Sequence, residues 1–587
     1  MPIASDNRIR TEKTDNPLRR LVHKMPERNL LLALSLVVGG CCGLAAVVLK
    51  LAIKWLQTLF HGLYAGCGTW GSVVMALTPG LGMLLSLLIV RYVVRDRISH
   101  GVTRVLVAVS KNESKIPSHN CWSSLLTSAF TIGFGGSVGA EAPIVYTGAA
   151  IGSNLARSLG LSYRSMTLLL GCGAAGAVAG FFNAPLAGLL FTLEVLLFNM
   201  SMSSLLPLMV STVSATAVSY MCLGQSQMFA FHTDPFQLAS LPWYIVVGVV
   251  CALVSVYFIR VTLFLEDRLG AMKNTVLRWA VCALSLGVLI MFLPPLYGEG
   301  YESLISLAEE SAVTWKAAGF FFAVLMLKVF SMTFTNAGGG VGGTFGPTLF
   351  TGALAGFTVA ALSSLLLPGH GLSVPAAMLT GMAGTMAGVM QAPMTAIFLI
   401  AEISGGYELL MPLIVTSAVS YGACRIFEKY SIYAKRIANT GELLTHDSDQ
   451  AVLTLLKTDE LVEKDFSPVA IDYTLEQLVG VVAESSRDIF PVTDSRGRFQ
   501  GYVSLEQIRR DMFRTDLYKR NHVFNYMLSA PEYVYEGESM DSVMKKFEKT
   551  GAWNLPVIKK DRTYVGFVSK SKIFSAYREE LRVVSHD

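Results

Sequence analysis

A multi-span α-helical membrane protein of two repeated halves, followed by a soluble α/β tail, is the fold class this sequence predicts, and three observations predict it. The composition is too apolar for water: 52% of the 587 residues are hydrophobic and 15% charged, whereas a soluble domain carries about 25% charged residues. The apolar residues gather in eleven long blocks between Asn29 and Phe427, and about 20 such residues cross a bilayer core of roughly 30 Å. Beyond Phe427 hydrophobicity collapses, and charged strand-like and helix-like pieces alternate to the end of the chain.

Several blocks, such as Ser124 to Ala156 and Val374 to Ile403, are too long and too broken by Gly and Pro to be one straight helix, so more helices than blocks are expected. Before the first block stand Arg8, Arg10, Lys13, Arg19, Arg20, Lys24 and Arg28, which by the positive-inside bias place the N-terminus in the cytoplasm. The apolar stretch that follows is too long for the core of a signal peptide. A net charge of +5 gives no reason to expect nucleic acid as a partner. The nine cysteines form no CxxC pair, which argues against a metal or disulfide framework.

Within the apolar region the chain repeats itself. Asn183-Ala184-Pro185-Leu186-Ala187 and Gln391-Ala392-Pro393-Met394-Thr395 each run through an apolar stretch to an acid, Glu194 and Glu402, at the same offset of 208 positions. Upstream, Gly135-Gly136-Ser137-Val138-Gly139 ending in Pro143 is echoed by Gly339-Gly340-Val341-Gly342-Gly343 ending in Pro347. Glycine-rich breaks at matching places in two halves point to a transporter's binding site, because irregular backbone at membrane depth survives only where it is buried or lines a cavity. Glycine lets backbone N–H groups approach closely, and the helix that follows presents its positive end. Such a site suits an anion. Tight helix packing by small residues is the alternative reading of the same glycines.

Four stretches resemble the CLC family of chloride channels and chloride/proton antiporters. Gly139-Ala140-Glu141-Ala142-Pro143 is similar to the family's GREGP motif, and Phe182-Asn183-Ala184-Pro185-Leu186-Ala187-Gly188 to its FNAPLAG helix. Gly343-Thr344-Phe345-Gly346-Pro347 resembles the GxFxP loop, and Ser431-Ile432-Tyr433 the SxY near the last membrane helix. The resemblance implies a homodimer embedded in lipid, with one chloride pore in each subunit and each subunit made of two inverted halves. It implies that Gly139, the N–H groups of Thr344 and Phe345, and the Tyr433 hydroxyl bind the anion. Neutral donors of this kind hold a halide without trapping it.

Glu141 becomes, by resemblance, the gating glutamate: ionised, it occupies an anion position, and protonated, it swings out. A carboxylate amid apolar sequence is expensive and a functional candidate in its own right. Glu194 and Glu402 are candidates for a proton path, or else helix ends facing water. Three positions depart from the family pattern. Ala140 replaces the basic residue of GREGP. Ser99-His100-Gly101 puts His100 where the family's anion-coordinating serine stands, with Ser99 taking that place if the register slips by one. Val195 follows Glu194 where antiporters carry a second, proton-relaying acid. The expectation is therefore passive, channel-like chloride flow, with a proton-coupled antiporter for chloride or another halide as the alternative. No metal cluster, phosphate loop or nucleophile-and-base spacing stands in the apolar region, so the chain is not expected to be an enzyme, and a membrane-embedded enzyme or sensor is the remote alternative.

In the tail, Phe490-Pro491-Val492-Thr493-Asp494 then Gly501-Tyr502-Val503-Ser504 is repeated as Leu555-Pro556-Val557-Ile558 then Gly566-Phe567-Val568-Ser569. This resembles a pair of CBS domains, βαββα units that often bind adenine nucleotides between them. The ribose-binding acid usual three residues after the Ser or Thr is Gln507 in one and Lys572 in the other, which argues against that cofactor and leaves a different ligand or, in preference, a role in the dimer. The expected layout is a basic cytoplasmic segment 1–28, a CLC-like membrane domain 29–438, a linker 439–460, and CBS domains at 461–514 and 521–580. Both termini are then cytoplasmic, in a plasma or inner membrane.

Overall fold

The computed structural model describes residues 26–96, 98, 101–196, 202–224, 228–229, 231, 236–309, 314–366, 372–439, 456 and 458–585. The chain forms two units, Met1–Leu444 and Thr445–Asp587. Most of the expected basic segment 1–28, His100 with its alternative Ser99, and most of the expected linker lie outside the described residues.

The described part of the first unit holds seventeen α-helices. In chain order these are α1 (Glu27–Gly66), α2 (Gly71–Leu88), α3 (Gly101–Lys111), α4 (Ser123–Gly133), α5 (Glu141–Leu159), α6 (Tyr163–Phe182), α7 (Pro185–Glu194), α8 (Met202–Leu223) and α9 (Leu241–Gly270). They continue as α10 (Thr275–Phe292), α11 (Tyr301–Glu309), α12 (Trp315–Ala337), α13 (Phe345–Leu366), α14 (Val374–Met390), α15 (Pro393–Ile403), α16 (Leu410–Phe427) and α17 (Ile432–Asn439). Among the described residues, nine helices are long and apolar enough to cross a membrane, while α7 and α15 are short apolar helices. The protein is a multi-pass membrane protein.

Local chemistry sets the breaks between helices. Ser162, Asn274 and Thr314 accept first-turn N–H groups of α6, α10 and α12 through their side chains, and such caps satisfy donors that the helix itself cannot. Pro185 and Pro393 open α7 and α15, where a missing N–H costs nothing. Just before them Asn183 and Gln391 take left-handed backbone, at φ +57° and +55°, and turn the chain between two helices. Inside the helices, buried hydroxyls bond back to their own turn, as Thr127 does to the Ser123 carbonyl at 2.8 Å and Thr351 to the Pro347 carbonyl at 3.0 Å. Such bonds give these hydroxyls a partner inside their own helix, where lipid offers none.

Two halves pack alike. In the first, α1, α6 and α8 pack on one another, and in the second α9, α14 and α16 do the same. Across the axis each half presents equivalent helices to the other, α2 against α10 and α7 against α15. Two pairs of glycines at matching places make close approaches. A Cβ on Gly148 would lie 2.2 Å from the Gly173 carbonyl oxygen, and one on Gly352 would lie 2.5 Å from that of Gly381. Helices α5 and α6, and likewise α13 and α14, therefore touch backbone to backbone, the packing that small residues permit in a bilayer.

The second unit contains two small sheets of the same design. In the first, β1 (Val469–Ala470) runs parallel to β2 (Ile489–Thr493) after the crossover helix α18 (Leu475–Glu484), and β2 pairs antiparallel with β3 (Phe499–Ser504). In the second, β4 (Val534–Tyr535), α19 (Met540–Thr550), β5 (Asn554–Ile558) and β6 (Tyr564–Ser569) repeat that order before α20 (Lys570–Ser585). Each has its own apolar core, and Phe466, Phe499, Ile558 and Phe567 form a further cluster that joins them. This is the α/β tandem expected from the repeated Pro-Val and Gly-x-Val-Ser segments.

Candidate anion site

The site is built where the two glycine-rich loops meet. After α4 the chain reverses at Gly135, φ +91°, where a Cβ would collide with the Tyr297 ring. The two loops then exchange hydrogen bonds. Ser137 N–H donates to Thr335 Oγ1 (3.2 Å), and Val341 N–H donates to Thr131 Oγ1 (3.0 Å). Gly139 and Gly343 close the exchange through N–H to carbonyl bonds of 3.1 and 2.7 Å in opposite directions. Helices α5 and α13 consequently begin side by side, and their unpaired N-terminal N–H groups and dipoles converge on one spot.

Glu141 is the first residue of α5 and is buried. Its carboxylate is folded back into the convergence point: a Cβ on Gly139 would lie 1.9 Å from Oε2, and one on Gly346 would lie 2.9 Å from Oε1. Only glycine at both places leaves room for it. Oε2 has no hydrogen-bond partner, and Oε1 accepts the Tyr301 hydroxyl at 3.4 Å. Beside it, Thr344 Oγ1 donates to the Tyr433 hydroxyl oxygen at 3.5 Å. Thr344, Phe345 and Tyr433 are all buried, and the Phe345 ring packs on Phe182 and Phe191 at centroid distances of 5.4 and 6.3 Å. Gly139, Glu141, Thr344, Phe345 and Tyr433 are thus brought together.

Glu194 and Glu402 stand elsewhere. Glu194 accepts the N–H groups of Met394 (3.0 Å) and Thr395 (2.7 Å) and the Thr395 hydroxyl (2.7 Å), while Glu402 accepts those of Leu186 (3.1 Å) and Ala187 (2.9 Å). Each acid closes its own helix, α7 or α15, and caps the first turn of the other. Carboxylates at helix N-termini are stabilising, so the geometry gives both acids a scaffold task.

Three residues of this neighbourhood are absent from the sequence reading. Glu299, in the connector between α10 and α11, is partly exposed and accepts the Ala140 N–H at 3.3 Å through Oε1. Tyr301 touches Glu141 as described. Lys328 of α12 is fully buried; its ammonium donates to the carbonyls of Gly298 (2.9 Å) and Glu299 (3.2 Å) and lies 4.6 Å from the centre of the Phe350 ring. A lone lysine in the apolar stretch Ala317 to Phe334 was the available signal, since a buried charge within a membrane needs a reason.

Known proteins resemble this chain in sequence and in fold. The profile described as voltage gated chloride channel matches residues 81–425, and that of the CBS domain matches 523–579. A putative chloride channel protein ClcB-like of Ralstonia nicotianae is 27% identical over 422 residues, covering 70% of this chain and 96% of that protein. The H(+)/Cl(−) exchange transporter ClcA of Salmonella arizonae is 26% identical over 455 residues, 74% of this chain and 93% of that protein. In fold, the crystal structure of a eukaryotic CLC transporter covers 94% of this chain and 98% of its own, with a TM-score of 0.63 at 17% identity.

Proposed function

The chain belongs to the voltage gated chloride channel family, whose members carry anions across membranes, and on that premise we propose that it exchanges chloride for protons through a path gated by Glu141. The observation that carries the proposal is the carboxylate of Glu141 lodged between Gly139 and Gly346, where α5 and α13 point their N-termini. An ionised carboxylate there takes the place of an anion. Protonated, it loses its attraction for the helix ends, leaves, and admits chloride to the donors of Thr344, Phe345 and Tyr433. Each passage of the gate then links one protonation event to the movement of anion. No bond to substrate is made or broken, so the activity is transport and not enzymatic.

Exchange takes precedence over the channel-like flow expected from Val195 because a relative matched over 93% of its length carries the name of an exchange transporter. Passive flow is the second reading, and the valine at position 195 favours it. In the tail, the Ser504 hydroxyl bonds Gln507 and the Ser569 hydroxyl bonds Glu463, which supports a structural use of these serines over adenine nucleotide binding. The family and the arginine-rich start of the chain support a homodimer with cytoplasmic termini.

The test is proton uptake into liposomes driven by an outward chloride gradient. Wild type is expected to take up protons, and Glu141→Gln is expected to pass chloride with no proton uptake. Proton uptake persisting in Glu141→Gln would remove Glu141 from the gate, and none in wild type would make the protein a channel.

A further inference from the structure

Glu299 sits in the turn Gly298-Glu299-Gly300, whose glycines both take left-handed backbone, at φ +59° and +86°. The turn is pinned to the gate loop by the Gly298 N–H on the Gly135 carbonyl (3.0 Å). Lys328 pins it from the other side, and its ammonium goes to the two backbone carbonyls. Among the described residues the Glu299 carboxylate accepts one hydrogen bond, from Ala140 N–H. That N–H belongs to the residue preceding α5 and is itself one of the free donors at the helix start. A structural ion pair would have sent the carboxylate to Lys328. Instead a second acid holds a donor at the start of α5, one residue before Glu141.

We propose that Glu299 is a second gating carboxylate, closing the mouth of the anion path at the Ala140 N–H and acting in series with Glu141. The proposal rests on the anion path assigned above. The groups that face Glu299 are Glu141 at the start of α5, Tyr301 on α11, Lys328 on α12 and Lys50 on α1; its charge reaches Glu141 and Tyr301, and it feels both lysines. Ionised, Glu299 is held by the helix start, in the field of the two lysines, and excludes an anion from the same donor. Protonated, it has no such hold, and its glycine-flanked turn lets the side chain withdraw without disturbing the backbone fixed by Lys328.

The experiment measures chloride efflux from liposomes against pH for the full-length chain carrying Glu141→Gln, with and without Glu299→Gln. With only the Glu141 gate removed, efflux is expected to fall about tenfold toward alkaline pH, the response of one remaining titrating group. With both removed, efflux is expected to stay flat and high. A flat profile in Glu141→Gln, or an unchanged fall in the double variant, overturns the proposal. Should the double variant not survive purification, Glu141→Gln with Glu299→Asp gives the same reading. Its shorter carboxylate falls short of the Ala140 N–H, so alkaline efflux should exceed that of Glu141→Gln, and equal rates overturn the proposal. Failure of the exchange reading is seen separately, as absent proton uptake in wild type.

Discussion

Gly139-Ala140-Glu141 in the first half and Gly343-Thr344-Phe345 in the second stand 204 positions apart and bridge each other through paired backbone bonds. Backbone, glycine and proline agree between them, but where one half offers a carboxylate the other offers a phenyl ring. The same split recurs on the helices just upstream. Thr131 matches Thr335, and each accepts an N–H from the opposite loop. Lys328 of α12, by contrast, corresponds to Ser124 of α4, whose hydroxyl bonds the Pro143 carbonyl. The repeat therefore fixes a symmetric frame, and chemistry enters at the positions where symmetry fails.

If that division holds, damage to the frame should be equal in the two halves. The largest effect is expected for Gly148→Ala and Gly352→Ala. Each puts a methyl group 2.2 to 2.5 Å from a backbone oxygen and should cost about 3 kcal/mol, read as a lower thermal midpoint in detergent. A clearly milder loss on one side would show that the packing is not a true repeat. Next come Glu194→Ala and Glu402→Ala, which uncap a helix of the opposite half. Each should lower stability by about 2 kcal/mol and leave proton coupling in surviving protein as in wild type. Lost coupling would return these acids to the proton path. The smallest effect is expected for Thr131→Val and Thr335→Val, about 1 kcal/mol each for one orphaned N–H, and unequal midpoints would place the functional asymmetry deeper in the frame than the loops.

The sequence made the frame readable because it rests on punctuation: Gly and Pro at fixed offsets, and acids ending two matched helices. Glu141, Thr344 and Phe345 could be picked out because they lie in or beside those marks, whereas Tyr433 was reached only through the resemblance of Ser431-Ile432-Tyr433. Glu194 and Glu402 were visible as a pair, but their role as mutual caps was not, since a cap on a helix 200 residues away leaves no local pattern. Glu299 and Tyr301 escaped for a similar reason. Their contacts join a short connector to a loop more than 150 residues earlier, and nothing in the spacing of either segment foretells that meeting. Val195 is a single side chain that favours passive flow, while the name of a relative matched over most of its length supports the exchange proposed above.

The mutual caps also impose an order in time. Met394 and Thr395 offer the donors that Glu194 needs, and Glu402 supplies what α7 needs; both partners emerge about 200 residues after α7. At a synthesis rate of about 5–20 residues per second, the nascent first half waits on the order of ten to forty seconds in the bilayer with an uncapped helix start. During that interval it is an incomplete object with exposed backbone donors, and its maturation depends on how quickly the ribosome delivers the second half.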